Sequence, residues 1–420
     1  MPLMSMSEAE TLGSAVSALT SQASILQHAD AEAAGMVNKA DIDLPKADGM
    51  LLLLVLFLFL TGAGLSYSLE VGLRGAKMAA GVANRKRLRV RVLAYEWWLA
   101  FLVHAIPYRW LSQIWGRLTQ MSLPPGIKQM VYMGWAKTFN CNLDEMARPL
   151  EEYASLREFF LRPLKPGLRP VDETPNSLVC PVDGKVLHVG AVSLDRVGDL
   201  VLEQVKGIRY HIENFIGPVP AGFDNKLWDD SMERALADFD AMSMASDIST
   251  VEAIAHGGKI LRTIVIYLGP GDYHHFHSPT EWKILQRRHY PGNLLPVKPW
   301  AARHIPELYC TNERVVLNGQ WKHGFLSFTA VGALNVGSID IACEPELATN
   351  QSSRWPFQCP RKTCSERNYE PAHEHERGER MGAFNLGSTV VLIAETPANF
   401  DFCVKEGDVV RMGELLAKSL

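Results

Sequence analysis

The feature that most constrains this chain is a charge-free interval near its start. No Asp, Glu, Lys or Arg occurs between Asp48 and Glu70, and Leu51 to Leu60 is nearly all Leu, Val and Phe. A helix needs about 20 mainly apolar residues to cross a bilayer, and a buried core helix rarely runs so far without a charge. Residues 49–70 therefore read as a transmembrane anchor. Behind them come Arg74, Lys77, Arg85, Lys86, Arg87, Arg89 and Arg91. A second apolar segment, Val92 to Leu111, carries Tyr95, Trp97, Trp98, Tyr108 and Trp110 beside Glu96 and Arg109. Such a segment suits a helix lying among lipid headgroups or one packed on a soluble domain; 71–112 is read as membrane-proximal. The first 48 residues hold Lys39 and Lys46 against Glu8, Glu10, Asp30, Glu32, Asp41, Asp43 and Asp48. That balance is the reverse of an Arg-rich, acid-poor transit peptide, and 1–48 reads as a disordered leader.

Beyond the anchor the chain has the material for a globular core. Of 420 residues 47% are hydrophobic and 21% charged, and the formal charge of −4 gives no reason to expect nucleic acid as a partner. Seven scattered cysteines, an odd number, argue against a disulfide framework.

The periodicity changes along the chain. Residues 113–170 read as helices, with Ser155–Arg162 in helical register up to Pro163 and Pro166. From Leu178 on, short apolar runs broken by Gly and Pro signal strands: Lys185–Gly190, Ile264–Leu268, Arg314–Leu317, Ala330–Leu334 and Thr389–Ala394. The expected class is α+β, a β-rich catalytic domain preceded by membrane-associated helices. Cys180–Leu187 and Glu406–Ala417 look like the opening and closing halves of a biotinyl or lipoyl carrier domain, without its Met-flanked lysine. A barrel-sandwich element is expected from them, and carrier function is not. Residues 347–381 are polar without apolar periodicity and read as a flexible surface insertion. Its Cys359, Cys364, His373 and His375 fit no common zinc spacing, so no metal is expected.

Four patches carry chemistry. Phe384-Asn-Leu-Gly-Ser-Thr389 precedes a strand-like run; a Gly-Ser-Thr alone is usually a turn. Gly271-Asp-Tyr-His-His-Phe-His-Ser-Pro279 crowds His274, His275 and His277 at a strand end. A structural loop or a metal cluster would account for it equally, but no H-E-x-x-H pattern accompanies it. Pro181-Val-Asp-Gly184 sets a carboxylate in a turn. Arg287-Arg-His-Tyr-Pro-Gly292 offers a cation pair, with His289, that would face an anionic headgroup or simply solvent.

Taken in order, these motifs closely resemble the eukaryotic, mitochondrial-type phosphatidylserine decarboxylases. The resemblance runs from about Trp110 to Leu420. It also takes in Phe159-Phe-Leu-Arg162, Glu203–Gly207, Tyr267–His274, Asn312–Val315, Trp321–Phe325, Val331-Gly332 and Asn335–Ser338. The resemblance implies self-cleavage between Gly387 and Ser388 by an Asp/His/Ser triad, whose roles fall on Asp183, His277 and Ser388. It implies a covalent pyruvoyl cofactor made from Ser388 by way of dehydroalanine. The large chain (113–387 of the catalytic domain) and the small chain (388–420) would stay paired as a heterodimer. The pyruvoyl group would form a Schiff base with phosphatidylserine and act as electron sink for loss of CO2, giving phosphatidylethanolamine.

The residue chemistry suits those roles. A serine hydroxyl needs a neighbouring base, here His277, with Asp183 fixing its tautomer; His274 is the candidate acid that returns a proton to the α-carbon. Arg287, Arg288 and His289 are the candidate headgroup contacts. The family places such enzymes on the mitochondrial inner membrane, single-pass, with the catalytic domain facing the intermembrane space; the positive-inside tendency would instead hold 74–91 on the matrix side. A serine hydrolase using the same three residues would keep its chain intact and react with fluorophosphonates, and a catalytically dead lipid-binding homologue would lack some of the motif residues.

Overall fold

The computed structural model describes residues 108–420 except 195–199, 206–207, 219–250, 253, 256–258, 304, 306, 335–337, 351–363, 386–387 and 420. The expected leader, anchor and most of the membrane-proximal segment lie outside the described residues, as does Gly387. Among the described residues no helix is long and apolar enough to cross a membrane.

Helices come first. α1 spans Tyr108–Gln120 and α2 Pro125–Phe139. Proline opens α2, where a missing N–H breaks no intrahelical bond, and Asn140 closes it in the left-handed conformation. α3 (Leu156–Phe160) is started by Ser155, whose Oγ accepts the Glu158 N–H at 3.2 Å; Glu158 reaches back to the Ala154 N–H at 2.8 Å. This reciprocal pairing satisfies donors at the helix start that would otherwise be orphaned. Aromatic stacking ties the helices together, Tyr132 on Phe159 at 5.0 Å and Trp115 on Trp135 at 6.5 Å.

The rest is β-rich. In chain order the strands are β1 (Ser177–Val179), β2 (Gly184–Ala191), β3 (Ser193–Leu194), β4 (Leu200–Val205) and β5 (Ile208–His211). Then come β6 (Val251–Glu252), β7 (Ile254–Ala255), β8 (Lys259–Leu268), β9 (His275–His277) and β10 (Trp282–Tyr290). They are followed by β11 (Arg314–Trp321), β12 (Gly324–Gly332), β13 (Ile339–Ile341), β14 (Ser365–His375) and β15 (Arg380–Phe384). The last four are β16 (Ser388–Thr396), β17 (Phe400–Phe402), β18 (Val409–Val410) and β19 (Leu415–Ser419). A nine-stranded sheet runs β14-β10-β11-β12-β16-β8-β2-β18, with β7 on β8. Smaller sheets are β1-β19-β17, β13-β15-β9 and β5-β4-β3-β6.

β16 sits between β12 and β8, and all of its residues are buried. Val391 and Ile393 enter one core, Val390, Leu392 and Ala394 the other. A strand covered on both faces reads as an unbroken apolar run, which is why Thr389–Ala394 shows no alternation. Each such aliphatic side chain contributes roughly 1.5–3 kcal/mol by leaving water. The first core is roofed by short helices at Ile212–Ile216, Pro299–Ala302 and Leu308–Thr311, the second by β13-β15-β9 and β1-β19-β17.

The expected strands are all present except at Ala330–Leu334, where β12 ends at Gly332. The two carrier-like segments meet: Val409 pairs with Lys185, Leu178 with Ala417, and the Gly413 N–H donates to the Cys180 carbonyl at 2.9 Å. The reading of 347–381 as a flexible insertion is corrected over its described part. Ser365–His375 is β14, an edge strand paired to β10, and Arg380–Phe384 is β15. β14 is polar because most of its side chains are exposed at the sheet edge, where charge also blunts strand-to-strand aggregation.

Candidate active site

Ser388 is the first residue of β16, in register with Leu268 of β8 on one side and Gly332 of β12 on the other. It is fully buried, and its Oγ has no hydrogen-bond partner among the described residues. A buried hydroxyl left unpaired costs about 1–3 kcal/mol, so its presence at a strand start demands an explanation. The chain leading to it is pinned. Phe384 N–H donates to the His274 carbonyl at 2.9 Å. The Asn385 amide reaches Asp340 at 2.7 Å, and Arg157 Nε donates to Asn385 Oδ1 at 2.9 Å.

The loop after β8 begins opposite Ser388 and carries the histidines. Its Gly269 N–H donates to Asp272 Oδ2 at 2.7 Å. The turn packs so closely on α2 that a Cβ at Gly271 would lie 2.1 Å from the Phe139 carbonyl oxygen. Asp272 is partly buried, and desolvation raises its carboxyl, the Asp183 charge raising it further. His274 is fully buried against Phe160, ring centroids 4.0 Å apart. Its Nδ1 lies 2.8 Å from the Asp272 carbonyl oxygen, which can only accept, so Nδ1 carries the proton and Nε2 a lone pair. That Nε2 has no partner. Desolvation brings the His274 imidazole down to about 3, with the Arg162 and His275 charges adding to the shift. His275 falls to about 4 for the same first reason, and its Nε2 donates to the Leu161 carbonyl at 3.0 Å.

His277 stands at the other end of β9, opposite Arg380 of β15. Its Nδ1 donates to the Gly378 carbonyl at 2.8 Å, and its Nε2 accepts from the Tyr273 hydroxyl at 3.1 Å. Gly378 offers that carbonyl from a turn at φ +76°, a conformation side chains resist. Burial holds the imidazole below its ordinary value; the Gly378 bond and the Asp183 charge oppose that shift.

Asp183 lies close by, since the His277 N–H donates to the Pro181 carbonyl at 2.9 Å. Its carboxylate is nonetheless engaged elsewhere: Arg169 Nε donates to it at 3.0 and 3.1 Å, and the Met412 N–H at 2.8 Å. Arg169 also pairs with Glu145 at 2.7 Å. The nitrogen that Asp183 is expected to hold, His277 Nδ1, donates to the Gly378 carbonyl in this structure.

The β10 cations are turned inward. Arg287 pairs with Glu344, Nε to Oε2 at 2.9 Å, and with the Ser365 hydroxyl at 2.9 Å. Arg288 pairs with Glu366 at 2.8 Å and with the Ile216 carbonyl at 3.1 Å, and His289 with Glu313 at 2.9 Å. All three are buried, and β10 is three strands from β16, about 14 Å at the usual spacing. A headgroup role for Arg287, Arg288 and His289 is not supported by these engagements. Among the described residues no cluster of His, Cys, Asp or Glu could hold a metal ion.

Sequence reasoning missed Arg169, Tyr273 and Gly378. Tyr273 lies inside a motif already singled out; nothing marks Arg169 beforehand.

A family model described as phosphatidylserine decarboxylase matches residues 156–418. A rice protein called phosphatidylserine decarboxylase proenzyme 1, mitochondrial, is 40% identical over 347 residues, covering 76% of this chain and 78% of its own. The Cricetulus griseus proenzyme is 42% identical over 333 residues, 77% and 75% of the two chains. Proenzyme 1 of Saccharomyces cerevisiae is 35% identical over 390 residues, 80% and 77% of the two. With a buried unpaired serine at the matching motif and likeness of this extent, the chain belongs to the phosphatidylserine decarboxylase family, the enzymes made as mitochondrial-type proenzymes.

Proposed function

We propose that the chain cuts itself between Gly387 and Ser388 and then decarboxylates phosphatidylserine to phosphatidylethanolamine at a pyruvoyl group formed from Ser388. The observation that carries this reading is the Ser388 hydroxyl, buried and without a partner at the head of a two-sidedly covered strand. A side chain consumed in maturation has no need of a lasting hydrogen bond. The mitochondrial names of the relatives support a mitochondrial setting, and the reading puts the enzyme at the inner membrane, where its lipid substrate lies.

In maturation His277 takes the Ser388 proton, directly or through the Tyr273 hydroxyl that now occupies its Nε2. Its Nδ1–H stays on Gly378, which leaves Nε2 as the nitrogen that receives the proton. Asp183, held by Arg169 and Met412, steadies the imidazolium through space. Attack on the Gly387 carbonyl exchanges an amide for an ester; β-elimination leaves Gly387 with a free carboxylate and residue 388 as dehydroalanine, whose imine tautomer takes up water and releases ammonia to give the pyruvoyl group. The β16 ladder to β8 and β12 keeps the small chain in place after the cut.

The pyruvoyl group, a ketone conjugated with an amide, supplies the electron sink for loss of CO2. The residues present fit it, since a buried strand start with no competing donor leaves the carbonyl site to an incoming amine. His274 handles the proton. Being neutral with a bare Nε2, it must first accept a proton before delivering one to the α-carbon, and burial makes it a ready donor once charged.

Intact-mass analysis of the purified protein tests the reading. A fragment spanning 388–420 with an N-terminal pyruvoyl in place of serine is the expected result. An uncut chain with unmodified Ser388, inactive on phosphatidylserine and reactive with a fluorophosphonate, would replace the decarboxylase by a hydrolase.

A further inference from the structure

Arg162 follows α3 and is 3% exposed. Its Nη2 donates to the Gly271 carbonyl at 2.6 Å, and its guanidinium lies 5.7 Å from the Phe159 ring. Its Nε and Nη1 are buried and have no hydrogen-bond partner. Among the described residues no carboxylate forms an ion pair with it, in contrast to Arg169 and Arg287. Asp272 is near enough for the Arg162 charge to act on its carboxyl, yet its Oδ2 accepts from Gly269. Arg162 is also close to His274, whose Nε2 is likewise buried and unpaired.

A buried guanidinium is tolerated when paired and hydrogen-bonded; here two nitrogens are idle. The guanidinium is fixed to the same loop as the imidazole that serves the reaction, through the Gly271 carbonyl, and the reaction's substrate carries two anions. We propose that Arg162 is the anion-recognising residue of the substrate site, receiving the carboxylate or the phosphodiester of phosphatidylserine beside His274. The inference rests on the decarboxylase reading. In the uncut chain these atoms are sealed. The segment leading to the scissile bond runs alongside them, with the Phe384 N–H on the His274 carbonyl.

The test uses Arg162→Lys and Arg162→Gln in the full chain, with phosphatidylserine in detergent micelles as substrate. Cleavage is read first by mass. Expected are normal cleavage and a KM raised about ten- to a hundredfold, as for a lost hydrogen bond to a charged group, with the smaller rise in the lysine variant, which keeps the charge. Phosphatidylethanolamine, which keeps the phosphodiester and lacks the carboxylate, separates the two anions. If Arg162 holds the phosphodiester, product inhibition weakens in step with KM; if it holds the carboxylate, KM rises and product inhibition is unchanged. Normal cleavage with unchanged KM overturns the proposal. So does failure of both variants to cleave, which would assign Arg162 only to holding the Gly271 turn. A wild-type chain that cleaves but leaves phosphatidylserine untouched would instead overturn the decarboxylase reading, and the assignment with it.

Discussion

The loop after β8 and the strand β10 both carry His and charged side chains in a tight run, and the structure treats them in opposite ways. On β10 the charges are matched: Arg287 with Glu344, Arg288 with Glu366, and His289 with a Glu313 that Arg109 also holds at 2.8 Å. Around the β8 loop they are not. Ser388 Oγ, His274 Nε2 and two nitrogens of Arg162 are buried without partners. Polar groups used to hold a fold are satisfied when it forms, while groups that handle a substrate or a scissile bond must wait for a partner.

The largest expected effect breaks the machinery side. Ser388→Ala should leave one uncut chain with no decarboxylase activity, seen by mass and by release of CO2; a normal 388–420 fragment from this variant would end the argument. His277→Ala should also stay uncut, whereas His274→Ala should cleave largely as wild type and turn over slowly. Cleavage lost in the second and kept in the first would exchange their roles.

The matched side answers differently. Arg287→Ala leaves the buried Glu344 with only Arg367 at 3.2 Å and the Tyr369 hydroxyl at 2.8 Å, and should cost about 1.5–3 kcal/mol of stability, read as a shift of the denaturant midpoint. KM of the surviving folded enzyme should be unchanged, and a raised KM would return Arg287 to the headgroup. Between the two regions lies Tyr273→Phe, which removes one hydroxyl from His277. It should slow cleavage about tenfold, the kinetic equivalent of one hydrogen bond.

The sequence alone led far on this chain, but unevenly. The central strands were legible because both faces of β16 and β8 are covered, so their apolar runs are unbroken. β14 was not, because an exposed edge strand has no apolar face to show. Ser388, His274 and His277 were singled out through their motifs. The arrangement among them was not, since hydrogen bonds to the backbone carbonyls of Asp272 and Gly378 leave no mark in residue type. The pairing of Arg287 and Arg288 was hidden for a related reason: their partners, Glu344 and Glu366, are distant in the chain and only the sheet brings them alongside.

The smallest effect concerns acid, and its sign comes from burial. The loop histidines all resist protonation in the folded chain, His274 down to about 3 and His275 to about 4, with His277 also lowered, whereas in the unfolded chain each titrates near 6.5. Below 6.5 the unfolded state therefore binds more protons, and stability falls with falling pH until the folded values are reached. The contribution is fully present above 6.5. Asp272 works in the opposite sense, because its carboxyl is raised and its stabilisation is lost as pH increases. The groups facing His274 (Asp272, Arg162 and His275) are shared by the parent chain and a His274→Phe variant, so the difference in their pH slopes isolates one imidazole. In an uncut Ser388→Ala background, stability should fall less steeply between pH 6 and 4 in the His274→Phe chain, by about 1.4 kcal/mol per pH unit. Parallel slopes would mean that His274 is open to water after all, and the contrast between an unsatisfied loop and a satisfied strand would lose its central member.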